Sequence, residues 1–149
     1  MIWDKERTYN ELPPLTETVV QLAQQQLGVV LPSTYLQQLT IQNGGTLLHN
    51  AFPTTKKNSW ADDHVQIEEL YGIADGEGIL QTAYLVEEWG LPQNLVLIGG
   101  DGHSWFALDY RQATKNPPVV YIEADEEVDI QLADSFEQFI AQLFTYEEA

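Results

Sequence analysis

The 149-residue sequence predicts an α+β fold: a mixed, mostly antiparallel sheet flanked by N-terminal helices and a C-terminal helix. Three observations predict it. Up to about residue 45 the apolar side chains recur at helical spacing. From Thr46 their period falls towards two, as in half-buried strands. Near the end, Phe136, Phe139, Ile140, Leu143 and Phe144 restore the helical pattern. No repeat and no Pro/Gly/Ser-rich linker divides the chain, so one domain over residues 1–149 is expected.

The elements follow in order. Residues 1–15 form an irregular arm that ends at Pro13-Pro14. Thr16 caps a helix running to Leu27, with Glu17 in the favourable first turn and Gly28 as its stop. Val19, Val20, Ala23 and Leu27 make its apolar face. Pro32 opens a second helix at a first-turn position, Tyr35, Leu36 and Leu39 give its buried stripe, and Asn43-Gly44-Gly45 ends it. Thr46 to Phe52 is a strand stopped by Pro53, and Thr54 to Ser59 is a polar loop carrying Lys56-Lys57. Val65 to Glu68 alternates as a half-buried strand, continued by Leu70 to Ile73 with a break at Gly72. Ile79 to Trp89 is helical and stops at Gly90-Leu91-Pro92. Leu95 to Ile98 and Ser104 to Asp109 are strands joined through Asp101-Gly102, a hairpin signal. Val119 to Glu123 is a further strand. Ser135 and Gln138 form a capping box that opens the last helix.

Charge narrows the function. Six Lys and Arg face 23 Asp and Glu, a net charge of −17, and the excess is uneven. Between Lys57 and Arg111 no Lys or Arg occurs, yet Asp62, Asp63, Glu68, Glu69, Asp75, Glu77, Glu87, Glu88, Asp101 and Asp109 do. Such a surface repels phosphates, which argues against nucleic acid and anionic membranes as partners. A basic protein partner is steered in instead. High negative charge also serves solubility alone, and charge by itself leaves both roles open. The absence of cysteine excludes disulfides, thiolate catalysis and zinc-thiolate sites. The opening Met1 to Arg7 carries both signs of charge with no apolar run behind it, so no secretory signal is expected and the cytoplasm is the expected compartment.

Several motifs together resemble a known family. Leu27-Gly28, Leu31-Pro32, Tyr35, Leu39 and Asn43-Gly44-Gly45 resemble the N-terminal signature of the SUKH superfamily, the Smi/Knr-like domain. Glu88-Trp89-Gly90-Leu91-Pro92, followed by Ile98-Gly99-Gly100-Asp101-Gly102, resembles its middle, and Phe136-Glu137-Gln138-Phe139 its closing helix. The resemblance runs from about Thr16 to Leu143. One departure is Gln24, where relatives often carry Glu. The resemblance implies a non-catalytic α+β domain that, in many bacterial members, neutralises a toxin, often a nuclease or other nucleic-acid-modifying domain. It equally allows a regulatory interaction module, as in relatives that control cell-wall synthesis and signalling.

Candidate chemistry is sparse. Asp101, His103 and Asp109 offer two carboxylates and an imidazole for a metal or a hydrolase, although turn formation alone explains Asp101-Gly102. The acidic run Asp125-Glu126-Glu127 with Asp129 lacks calcium-loop spacing and suits a solvated turn. Adjacent Glu68-Glu69 would face opposite ways on a strand. No cofactor or metal is expected. Binding chemistry is better supplied: Trp60 beside Asp62 and Asp63, and Trp105 beside the Asp101–His103 turn, pair aromatic anchors with acid. Trp89, directly ahead of its helix stop, is expected in the core, and Trp60 on the surface. The expected partner-binding residues are therefore Trp60, Asp62, Asp63, Asp101, His103, Trp105 and Asp109.

Overall fold

A computed structural model describes residues 2–7, 11–59 and 61–147. Helix α1 spans Glu17–Leu27. The Thr16 hydroxyl accepts from the Val19 amide at its start, and Gly28 closes it in the left-handed region at φ +70°. Helix α2, Ser33–Ile41, begins directly after Pro32. The side chain of Gln24 caps the turn between them, its Oε1 accepting from the Leu31 amide at 2.9 Å. A glutamate oxygen could accept the same bond, so the departure at Gln24 leaves this contact intact.

Asn43-Gly44-Gly45 works as a lock. Asn43 is buried. Its amide donates to the carbonyls of Pro13 (2.7 Å) and Ile73 (2.9 Å), and its Oδ1 accepts from the Ile73 amide at 2.8 Å. A side chain at Gly72 would sit 2.3 Å from the Asn43 carbonyl, and one at Gly44 would sit 2.6 Å from the Gly72 amide nitrogen. Only two backbones without Cβ atoms can approach this closely. The signature thus fixes how the end of α2 meets the sheet.

The strands are short in the first half of the chain and longer from Leu95 on. β1 is Gly45–Thr46, β2 Ala51–Pro53, β3 His64–Gln66, β4 Glu69–Leu70, β5 Ile73–Ala74 and β6 Glu77–Gly78. The single strand expected over Thr46–Phe52 is therefore two, because β1 pairs with β4 while β2 pairs with β3. The small β5–β6 hairpin, turning at Asp75-Gly76, was not expected: two-residue strands leave no alternation to read. A 3₁₀ turn, Ile79–Gln81, leads into α3, Thr82–Trp89, which stops at Gly90 as expected.

The main sheet is an antiparallel meander in the order β10-β9-β8-β7: β7 Leu95–Gly100, β8 Ser104–Asp109, β9 Val119–Glu123 and β10 Val128–Ala133. β10 was not expected, although Val128, Ile130 and Leu132 alternate with Asp129 and Gln131 as in a half-buried strand, because the acidic run ahead of it reads as a solvated turn. It is an edge strand, where polar residues protect the open side. β7 continues to β4 through the Tyr71 amide on the Ile98 carbonyl (2.8 Å), then to β1, and finally to the N-terminal arm at Trp3 opposite Leu47. The two faces of this sheet carry separate cores. Phe106, Leu108 and Tyr121 point to the larger, closed by Ala23 of α1, Tyr35 and Leu39 of α2, and Phe136 and Phe139 of the last helix. Trp105, Ala107, Val120 and Ile122 point to the smaller, under Val86 of α3.

That last helix, α4, is Phe136–Ala141, shorter than its apolar pattern suggests. The chain leaves it so that Phe144 can pair with Ala51, the two exchanging backbone bonds of 2.9 and 3.0 Å. Ser135 caps it as expected, but Gln138 reaches back to the Asp134 amide rather than to the cap residue.

Candidate functional site

The C-terminal end of β9 gathers three loops. Glu123, the last residue of β9, is 0% exposed. Its carboxylate accepts the Ser59 hydroxyl (2.8 Å), the Ser59 amide (3.3 Å) and the Tyr121 hydroxyl. The Ser59 Oγ also meets His103 Nε2 at 3.3 Å, and His103 Nδ1 lies 3.6 Å from Asp125. Thus the loop between β2 and β3, the β7–β8 turn and the β9–β10 turn are tied around one buried carboxylate. The network brings Ser59 against His103, residues remote in sequence.

Ser59, His103 and Asp125 stand in the order of a hydrolase relay, but the proton is misdirected. The serine hydroxyl already donates to Glu123, so the imidazole meets a lone pair instead of a proton it could take. The expected trio fares no better. Asp101 closes the turn, its Oδ1 accepting from the amides of His103 (2.9 Å) and Ser104 (2.7 Å). Partial burial raises its carboxyl, but the bonds from Ser104 and His103 outweigh that and hold it below the usual range. Asp109 lies at the far end of β8, chelated by Arg111 at 2.9 and 3.0 Å. The same guanidinium reaches Asp129 at 2.7 Å. Asp101 and Asp109 therefore do not share a site.

Asp62 and Asp63 are exposed, the first 3.9 Å from Lys57 and the second 2.9 Å from the His64 ring. Trp60 lies outside the described residues. The tryptophan expectations reverse at the other pair. Trp105 is 3% exposed and presents no surface, whereas Trp89, expected in the core, is 44% exposed and leans on it with ring centroids 6.4 Å apart. Strand alternation explains this: Trp105 faces the smaller core, and α3 is too short to carry Trp89 beneath it.

An acidic groove was not foreseen. One cavity of about 570 Å³ is lined by Glu68, Glu69, Asp101, Ser104, Gln66 and Arg7 among others. A second, of about 410 Å³, is lined by Glu69, Glu77, Glu11, Tyr71 and Gln81. Glu69 lines both. Glu68 lies between β3 and β4, outside either strand, so the strand geometry expected for Glu68-Glu69 does not apply to the pair. Tyr71 lines the second cavity, and burial, then the charges of Glu69 and Asp101, push its phenol up to about 12. The legible signal was the density of acid on either side of Tyr71, but not its concavity.

A family model, SUKH_6, described as SMI1-KNR4 cell-wall, matches residues 17–140. The chain belongs to the SUKH superfamily. No curated protein matches it. The SUKH match takes in Glu68, Glu69, Glu77 and Asp101 of the groove and the Glu123 network, and leaves the N-terminal arm outside. Among the described residues no helix is long and apolar enough to cross a membrane.

Proposed function

We propose that this SUKH protein is a non-catalytic immunity protein that binds a cognate toxin, a basic nuclease or other nucleic-acid-modifying domain, and blocks its cleft. The observation that carries the reading is the pair of carboxylate-lined cavities that share Glu69, on a chain of net charge −17. A domain that grips nucleic acid needs a positive cleft, and a concave, carboxylate-lined surface complements one. Asp62 and Asp63, between β2 and β3, add two exposed carboxylates to the negative surface. A pull-down against the product of the neighbouring gene tests the pairing directly. Reversing Asp62, Asp63 and Asp101 together to lysine is expected to slow association and weaken the complex by at least tenfold. Unchanged affinity and unchanged salt dependence would refute the reading.

A second reading is a regulatory interaction module without a toxin, favoured by the cell-wall description of the matching family. Genomic neighbourhood separates the two, since an immunity gene sits beside a large toxin gene.

A further inference from the structure

α3 is fastened to the sheet on one side only. The Thr82 hydroxyl accepts from the Leu97 amide of β7 at 3.0 Å, and Val86 enters the smaller core. The other side faces outward. At about 100° per residue, it carries Glu87, Tyr84, Glu88 and Trp89 in that order around the helix, with half-buried Leu85 between the last two. Tyr84 is 63% exposed, the most of any large apolar or aromatic side chain among the described residues. Each ring therefore has a carboxylate beside it. Two features of this corner cost the free protein. Glu87 and Glu88 occupy the last turn of α3, the negative end of the helix dipole, and no basic residue of that turn balances them. Among the described residues neither glutamate makes an ion pair. Trp105, on which Trp89 leans, is buried with no acceptor for its indole N–H, although buried indoles ordinarily find one. Departures of this kind from what folding alone favours gather where a surface serves binding.

We infer that the outer face of α3 is a second docking surface, whose occupant is an arginine-bearing segment of a basic protein. The inference takes from the reading above only that the partner is basic, and it adds a contact face which that reading does not use. Tyr84, Glu87, Glu88 and Trp89 line neither of the cavities that share Glu69. The chemistry of the face selects arginine. A guanidinium lies flat on an indole or phenol ring and is attracted by its π face. Its planar fork engages a neighbouring carboxylate two bonds at a time. Its charge offsets both the two unpaired glutamates and the helix end on which they sit. Lysine supplies the charge but neither the plane nor the fork. A protein segment suits the face because Trp and Tyr are the usual anchors of protein interfaces, and arginine is their frequent counterpart. Trp105 holds the inner edge of Trp89, with ring centroids 6.4 Å apart, so that ring is partly positioned before any partner arrives.

Proton–nitrogen NMR of the full chain, titrated with oligo-arginine and oligo-lysine peptides, tests this. With oligo-arginine, the α3 amides and the Trp89 indole N–H are expected to shift and saturate. The Trp3 indole, which donates to the Gln38 carbonyl in the larger core, should stay in place. Trp89→Leu, and Tyr84→Ala at the more exposed ring, are each expected to weaken binding read at the α3 amides about three- to tenfold. Glu87→Gln/Glu88→Gln is expected to do the same. Glu126→Gln/Glu127→Gln removes the same charge from the exposed β9–β10 turn and should change that affinity less than about twofold. Shifts confined to the surroundings of Glu69 and Asp101, with α3 silent, would overturn this inference and leave the cavity reading standing. Shifts at α3 with those surroundings silent would support it and count against the cavities. Equal weakening by the two double glutamine variants, or unchanged affinity in both Trp89→Leu and Tyr84→Ala, would overturn it. Oligo-lysine binding at α3 as tightly as oligo-arginine would overturn the assignment of arginine.

Discussion

Arg111 shows how a single residue can be essential to charge balance without belonging to the binding surface. It is half-buried, chelates Asp109 and spans to Asp129 on β10, so it ties β8 to the sheet edge across β9. Burial alone raises the Asp109 carboxyl, but the bonds from Arg111 reverse this and hold it below the ordinary range. A carboxyl whose folded value is depressed stabilises the fold above its unfolded value of about 3.9, and that contribution disappears as pH falls through the folded value. Arg111→Gln is therefore expected to lose about 1 kcal/mol at neutral pH, the scale of charge-assisted bonds discounted for the exposure of Asp129. The gap to wild type should close in acid, once Asp109 is protonated in both proteins. Urea titrations at pH 7 and stepwise into acid below the depressed Asp109 value check this, and a gap that stays constant throughout would show that Arg111 acts by packing alone.

At the scale of elements, legibility followed length and capping. α1, with Thr16 and Gly28 at its ends, and the β7–β8 hairpin, with Asp101-Gly102 at its turn, have their bounds written in local chemistry. β5 and β6 do not, since two-residue strands carry no period, whereas β10 does alternate apolar with polar residues and is obscured only by the acidic run that precedes it. Phe144 misled for a related reason: its spacing is helical, but its backbone pairs with Ala51, a partner far away in sequence. The Glu123 network escaped for the same cause. Nothing near Glu123 or Ser59 announces that the two will meet, and the meeting depends on how β3 and β9 are stacked in the fold. The consequence can be measured. Glu123→Gln puts an amide donor where three donors converge, leaving at least one unmatched and costing about 2 kcal/mol. Amide hydrogen exchange in residues 54–59 and 101–103 should speed up more than in α1, because these loops lose their common tie. Exchange that accelerates uniformly, or only near β9, would show that the network does not hold the loops.

For the whole molecule, salt separates what the negative charge does for the fold from what it does for binding. A net charge of −17 on a domain of this size repels itself, and self-repulsion opposes the compact state. Added salt shortens the Debye length from about 10 Å at 0.1 M to about 3 Å at 1 M. Screening relieves the repulsion, so the melting temperature of the free protein should rise between these conditions. The same screening removes long-range attraction to a positive partner, so association with it should slow by an order of magnitude or more. The two responses have opposite signs, which matters because a protein that is acidic only for solubility shares the first and not the second. If the complex instead forms as fast at 1 M as at 0.1 M, its energy comes from apolar contact. The exposed Trp89 on α3, set apart from the Glu69 groove, would then be the surface to pursue.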